Sequence, residues 1–377
     1  VEGGDASTGF TVSVTKDDGS KEEIKGKRVL VATGSTPALI PAFNIDHERI
    51  ITSDDILAPE FNEIPEHILI IGAGVIGCEF ANILATFGVK VTMLEFLPTM
   101  LATEEKRIVR QLSKKFKTLG IEVHTSQMVQ SVENTGNGVK ATTIPASTPK
   151  DQADSAEKSV YEADMCLVSI GRAKVSSELG LEALGVKMER GQINVDRKTC
   201  QTDVEGIYAI GDVTGGLMLA HVASYEGDIA VENLLKSIGH EIEPREARYD
   251  VVPYTIFTSP NIGSVGLREK TAKENHDVYT GTFYYASLGK AKCMGEEYGF
   301  MMIVAEAGTG KILGASCIGA EAPELISEVT VAMNHGITAQ ELGEVIHSHP
   351  TISEMVLETA EDVHGRAIHK VGRVKKH

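Results

Sequence analysis

The sequence predicts an α/β protein with a doubly wound parallel sheet and a separate C-terminal α+β domain, and three observations carry that prediction. Between His67 and His124 the pattern runs strand, helix, strand, helix, strand, the order that lays parallel strands side by side under crossover helices. The first of those strands enters its helix through Gly72-Ala73-Gly74-Val75-Ile76-Gly77, a turn open enough for the backbone to approach a bound group closely. From about Tyr249 onward, runs of strands are followed by runs of helices, which marks a different layer architecture.

Size and charge set outer bounds. A chain of 377 residues with 42% apolar composition exceeds one ordinary core, so two or three domains are expected. A net charge of -17 repels nucleic acid and anionic lipid, and a small-molecule or cationic partner suits it better. The first residues, Val1 to Gly9, are polar and lack the apolar segment of a signal peptide. Ile68 to Phe87 is apolar, but Glu79, Asn82 and three glycines within it favour a buried strand-turn-helix over a membrane span. The five cysteines, Cys78, Cys166, Cys200, Cys293 and Cys317, include no pair at metal-ligand or redox spacing. A reducing cytoplasm and no metal site follow from that. Cys78 begins a predicted helix whose dipole would lower its pKa, although a small buried filler is the plainer reading.

Taken in order, Phe10 to Val14 alternates apolar and polar residues, Asp18-Gly19 is a hairpin turn, and Lys27 to Ala32 is a further strand. These form a small antiparallel unit that ends at Ala32-Thr33-Gly34-Ser35. After Pro65 come a buried strand, His67 to Ile71, a helix from Val75 to about Phe87, and a strand from Lys90 to Glu95. The helix Glu104 to Leu119 places Ile108, Leu112 and Phe116 at four-residue steps on one face, and a strand at Glu122 to His124 follows. Ser147 to Glu162 reads as a solvated loop or hairpin tip. Strands at Asp164 to Ile170 and Gly206 to Ile210 lead into Gly171-Arg172 and Gly211-Asp212, with a helix from about Leu219 to Lys236. In the last block, Val251 to Phe257, Phe283 to Tyr285, Phe300 to Val304 and Gly310 to Ile318 are strands; Glu321 to Asn334 and Thr338 to Ile346 are helices.

Each motif has a chemical reading. Gly72 permits the tight turn, Gly74 lets backbone approach a pyrophosphate, Gly77 lets helix and strand pack closely, and the helix N-terminus offers free N–H groups to the anion. Glu95, ending the next strand, accepts from ribose hydroxyls and repels a 2′-phosphate; no arginine follows in Phe96-Leu97-Pro98, so NAD is favoured over NADP. Asp212 stands where an α/β domain places a ligand and suits a polyol hydroxyl, while a plain turn residue serves equally well there. His349-Pro350-Thr351 with Glu354 supplies an imidazole of near-neutral pKa and a carboxylate able to fix its tautomer, the equipment for stabilising a thiolate. Alone, the plainer reading of the pair is structural: His349 precedes a proline in an extended segment and Glu354 opens a helix.

Together the motifs resemble, in order and content, the flavin-dependent pyridine nucleotide-disulfide oxidoreductases, and in particular their dihydrolipoyl-oxidising branch. The resemblance runs through Ala32 to Ser35, Gly72 to Glu79, Ser169 to Arg172, Gly206 to Val213, Met218 to His221, Phe257 to Pro260 and His347 to Glu354. It implies Rossmann-like FAD and NAD domains: 1–47 as the remainder of the FAD domain, 48–175 for NAD, 176–248 as a second FAD or central part, and 249–377 as a dimerisation domain. Thr33, Gly34, Ser35, Asp212 and Ala220 match FAD contacts. Gly72, Gly74, Gly77, Glu95, Met128 and Gly171 match the NAD site. Glu79 matches a glutamate that pairs with a lysine near the flavin. His349 and Glu354 match the acid-base pair that reaches across a dimer interface.

The implied reaction oxidises a protein-bound dihydrolipoyl group and reduces NAD, in a homodimer serving a 2-oxo acid dehydrogenase complex or the glycine cleavage system. Ala173-Lys174 after Arg172, and Val222 after His221, depart locally from the family pattern. A larger departure is that the family's opening glycine-rich FAD turn and its closely spaced redox cysteines are not among these residues, so a segment preceding Val1 is expected. A related NADH oxidase or peroxidase, a non-catalytic NAD-binding dimerisation module and a structural subunit are the alternatives. An oxidase or peroxidase suits the histidine-glutamate pattern less well, and a structural subunit leaves Glu95 and the glycine turn unexplained.

Overall fold

The computed structural model describes residues 1–370, which fall into two compact units, one of Val1–Ala38 with Gly171–Tyr249 and one of Leu39–Ile170 with the chain from Asp250 onward.

The second unit contains two five-stranded sheets. The parallel sheet has the order Ile50–Thr52, Met165–Val168, His67–Ile71, Lys90–Leu94, Glu122–His124. His67–Ile71 is its middle strand, and Ile68, Leu69, Ile70 and Ile71 are all buried, which explains an apolar run without alternation. Helix Val75–Thr86 crosses to Lys90–Leu94, and helix Lys106–Thr118 crosses to Glu122–His124. The latter buries Ile108, Val109, Leu112 and Phe116 and leaves Lys106, Arg110, Lys114 and Lys117 exposed.

A three-stranded antiparallel sheet, Gln127–Asn134, Val139–Pro145 and Ser159–Ala163, follows the last parallel strand. All but the last residue of its third strand falls within the stretch Ser147 to Glu162, expected to be a solvated loop or hairpin tip. The polar sequence there is compatible with an edge strand, since only one side of Ser159–Ala163 pairs and its residues are exposed or half-buried. The antiparallel sheet of the C-terminal domain has the order Pro253–Ile256, Asn261–Gly266, Ile312–Gly319, Phe300–Glu306, Val278–Tyr284. Helices Ala322–Asn334 and Glu354–Val363 pack on it, and Ile312–Gly319 is buried throughout. The helix expected over Thr338 to Ile346 is confined to Ala339–Gly343, opened by a Thr338–Glu341 capping box; the chain beyond leaves Ile346 exposed.

In the first unit, Gly3–Asp5, Gly9–Thr15 and Lys21–Gly26 form an antiparallel sheet. Lys27 to Ala32 does not extend it. Val29–Val31 pairs in parallel with Ile207–Ala209 instead, as three consecutive apolar residues with both faces packed would do. Phe10, Val31, Leu181, Val186, Ile193, Ile207, Ala209 and Val213 make its core. Helix Ala220–Ser237 lies further along the same unit.

Candidate functional sites

The glycine turn is shaped by backbone contacts on every side but one. Gly72 has φ +101°, and a Cβ there would lie 2.5 Å from the carbonyl oxygen of Ser169. A Cβ on Gly77 would lie 2.0 Å from the Gly72 carbonyl oxygen, so helix and strand meet at a distance only glycine allows. The Ser169 hydroxyl braces the same point, 3.1 and 3.2 Å from the carbonyl oxygens of Ile71 and Gly72. At Gly74 a Cβ would meet nothing within 4 Å. Gly74 is also the N-cap of Val75–Thr86 and brings no side chain to the helix's free N–H groups. The open side of the turn therefore faces a helix N-terminus, as a pyrophosphate requires.

Glu95 lies beside this turn and is 8% exposed. Its Oε2 accepts from Ala73 N–H at 2.6 Å and its Oε1 from Leu97 N–H at 2.7 Å. A carboxylate has about four acceptor positions, so two backbone bonds fix the group and leave capacity for ribose hydroxyls. Gln127 N–H donates to the Glu95 carbonyl at 2.9 Å, which sets Met128, half-buried, at the start of the adjoining antiparallel strand. Glu79 is on the helix that begins at this turn. Burial pushes its carboxyl up, partly offset by the bond it accepts from Phe257 N–H at 2.8 Å.

In the first unit the chain brings together residues far apart in sequence. The hydroxyl of Ser35 donates to Asp212 Oδ2 and accepts from Arg172 Nε at 2.7 Å, while Arg172 Nη2 donates to the Ser35 carbonyl at 2.7 Å. Asp212 lies in the short 3-10 turn Gly211–Thr214, after the strand Ile207–Ala209. The turn is anchored from below by Glu226, 3% exposed, whose Oε2 accepts from Gly211 N–H at 2.7 Å. Arg197 grips Thr214 from the side. Thr33 donates its hydroxyl to the Val175 carbonyl. Gly34 and Gly171 both have positive φ and open space where a Cβ would stand. Ala220 is the first residue of Ala220–Ser237, whose N-cap, Leu219, supplies no side-chain acceptor. Of these, Thr33, Gly34, Ser35, Asp212 and Ala220 suit the polyol and ring portions of a flavin: an oriented carboxylate, an open glycine loop and an uncapped helix N-terminus.

His349 is exposed, with 77% of its side chain accessible. Its Nδ1 lies 2.8 Å from Glu354 Oε1, and Glu354 Oε2 accepts from Thr351 N–H at 2.9 Å. The bond to Glu354 turns Nε2 outward as the free proton carrier. Burial acts to raise the Glu354 carboxyl. The bonds from His349 and Thr351 and the charges of His349 and His369 outweigh it, and the group is held below the usual carboxylate range.

Sequence reasoning left Ser169, Arg172, Arg197 and Glu226 without roles. A serine one strand away from a glycine turn gives no local signal, and Glu226 looks like an ordinary helix-surface residue until burial is known. Cys78 is fully buried and its thiol is pushed up by burial and by the charges of Glu95 and Glu79, so it is a filler without thiolate character. Cys166, Cys200 and Cys317 are buried too, with burial pushing Cys200 and Cys317 up to about 12, while Cys293 is exposed.

Residues 5–227 match the family described as pyridine nucleotide-disulphide oxidoreductase, and residues 252–360 match the dimerisation domain of that family. The chain belongs to the pyridine nucleotide-disulphide oxidoreductases. FAD and NAD are that family's cofactors. Among curated relatives, a dihydrolipoyl dehydrogenase of Bacillus subtilis is 40% identical over 95% of this chain and 73% of its own length. The mitochondrial dihydrolipoyl dehydrogenase of Pisum sativum is 35% identical over 95% and 69%. The solved structure of LpdA from Mycobacterium tuberculosis superposes with a TM-score of 0.82 at 30% identity, covering 94% of this chain and 76% of that one. A flavoprotein disulfide reductase, RclA of Escherichia coli, gives 0.81 at 26% identity, covering 93% and 76%. No helix among the described residues is long and apolar enough to cross a membrane.

Proposed function

We propose that this oxidoreductase removes two electrons and two protons from a protein-bound dihydrolipoyl group, closing its thiols to a disulfide, and delivers a hydride to NAD. The His349–Glu354 pair is the observation that carries this reading. An imidazole locked at Nδ1 and free at Nε2 accepts a thiol proton and stabilises the thiolate that forms, and Glu354, fixed by Thr351 N–H, stabilises the imidazolium. FAD, when bound, relays the electron pair between a disulfide and the nicotinamide. Thr33, Gly34, Ser35, Asp212 and Ala220 would hold it from this chain. Gly72, Gly74, Gly77, Glu95, Met128 and Gly171 would hold NAD. The turn binds the pyrophosphate at the helix N-terminus, and Glu95 selects a ribose without a 2′-phosphate. Glu79, half-buried, takes a cationic partner.

The protein works as a homodimer in the cytoplasm, where His349 serves the partner's flavin site and the substrate arrives on a lipoyl carrier of a 2-oxo acid dehydrogenase complex or the glycine cleavage system. The dimerisation-domain match and the exposure of His349 support the dimeric arrangement. In the flavin-loaded enzyme, His349→Gln is expected to lower NAD reduction by dihydrolipoamide about 10²–10⁴-fold. NADH binding should persist. Undiminished turnover would remove His349 from the chemistry.

A further inference from the structure

The helix that carries Glu354 carries a second carboxylate in the same orientation. Glu354 and Glu358 are four residues apart on Glu354–Val363, so they leave the same face one turn apart. Glu358 is 5% exposed, and a buried carboxylate needs partners. His369 supplies both: its Nδ1 lies 2.6 Å from Glu358 Oε1, and its backbone N–H donates to Oε2 at 3.2 Å.

His369 arrives there because the chain turns back along the helix it has just left. Arg366 returns to Glu361, by a backbone bond of 2.9 Å to its carbonyl and an ion pair of 3.0 Å to its carboxylate. Lys370 closes on Asp362 and on the Thr282 carbonyl. The dyad is thus repeated one turn further on, with His349 on Glu354 and His369 on Glu358.

Two carboxylates at this spacing repel one another, and a protonated imidazole on Glu358 offsets that repulsion. Charged groups on the elements packed against this helix include several with partners of their own. From Ala322–Asn334, Glu328 holds His347 at 2.8 Å; from Ala339–Gly343, Glu341 caps its own helix. From the sheet beneath, Glu306 holds His276 at 2.8 Å and Tyr284 meets Arg107 at 3.4 Å. On the helix itself, Glu361 and Asp362 are taken by Arg366 and Lys370. From the pair one turn away, His369 contributes to keeping Glu354 ionised, beside the larger contributions of His349 and Thr351.

We propose that Glu358 and His369 form a pair that tunes the charge of the His349–Glu354 dyad one turn away. The proposal rests on the reading of His349 as the proton carrier. In flavin-loaded, histidine-labelled enzyme, the titration of His349 can be followed by NMR, its signal assigned by its loss in His349→Gln. His369→Asn leaves Glu358 uncompensated and should raise the His349 midpoint by roughly half a pH unit. Glu358→Gln removes a negative charge one turn from the dyad and should lower it by a similar amount. The pH profile of dihydrolipoamide oxidation should move with it in each variant, and the double variant should return towards the parent. Midpoints that stay put, or that move the same way in both single variants, would overturn the proposal. Full turnover by His349→Gln would instead overturn the reading on which it rests, and the two failures are separately visible.

Discussion

The turn at Gly72 and the turn at Gly211 occupy equivalent places, each at the carboxyl end of a parallel strand, yet they are made differently. The first is assembled from main chain: Gly77 against the Gly72 carbonyl, Gly72 against Ser169, and a helix N-terminus left open at Gly74. The second is assembled from side chains, with Asp212 on Ser35, Ser35 on Arg172, Thr214 on Arg197 and Gly211 on Glu226. A backbone-built site depends on steric room. A side-chain-built site depends on polar partners brought from remote parts of the sequence, so the two should fail in different ways.

The largest effect is expected at Gly77. Its alanine variant forces a Cβ to within 2.0 Å of a carbonyl oxygen, and should cost about 1–3 kcal/mol of stability through overpacking, along with NADH binding. A thermal melt equal to the parent's would show that close backbone approach does not build this turn. Gly74→Ala sharpens the same point, because its φ of -76° and its open surroundings accept a methyl group. Melting should be unchanged while the NADH dissociation constant rises roughly tenfold, as a methyl group fills the anion cradle. Loss of stability without loss of binding would reverse the assignment.

At the other turn, Ser35→Ala removes the hydroxyl shared by Asp212 and Arg172. The hydroxyl makes two bonds, both to charged groups, and losing the one that orients Asp212 costs about 1.5–3 kcal/mol, so flavin affinity should fall roughly 10–150-fold with the fold intact. Flavin titration of the apoprotein tests this, and unchanged affinity would separate Ser35 from the cofactor.

The smallest effect concerns Glu79. Burial raises its carboxyl above the unfolded value, so its ionised form weakens the fold at neutral pH, and that penalty disappears as the pH falls below the ordinary carboxylate range. Glu79→Gln should melt slightly higher than the parent at pH 7 and equally at pH 4. A lower melt at pH 7 would mean that a cation already compensates the carboxylate.

This contrast also explains what could be read in advance. The Gly72 turn was legible because its requirements are local: a strand, three glycines at fixed spacing, a helix, and Glu95 at the next strand's end. The order of strands and helices from His67 to His124 was legible for the same reason of periodicity. Asp212 remained open between ligand and turn residue, since its partners Ser35 and Arg172 are 177 and 40 positions away. The strand Ser159–Ala163 was hidden by its polarity, because edge strands bury little. The parallel pairing of Val29–Val31 needs a partner from residue 207 onward, which no window around Lys27 can reveal.

The cysteines have a practical consequence. Four of the five are sealed inside packed cores with burial holding them as thiols, and Cys293 is exposed near the end of Gly289–Met294. Under native conditions an alkylating dye should therefore mark this stretch of polypeptide at one address. A fluorophore placed there would report on the C-terminal domain, and any second labelled cysteine would measure how far the buried cores have opened.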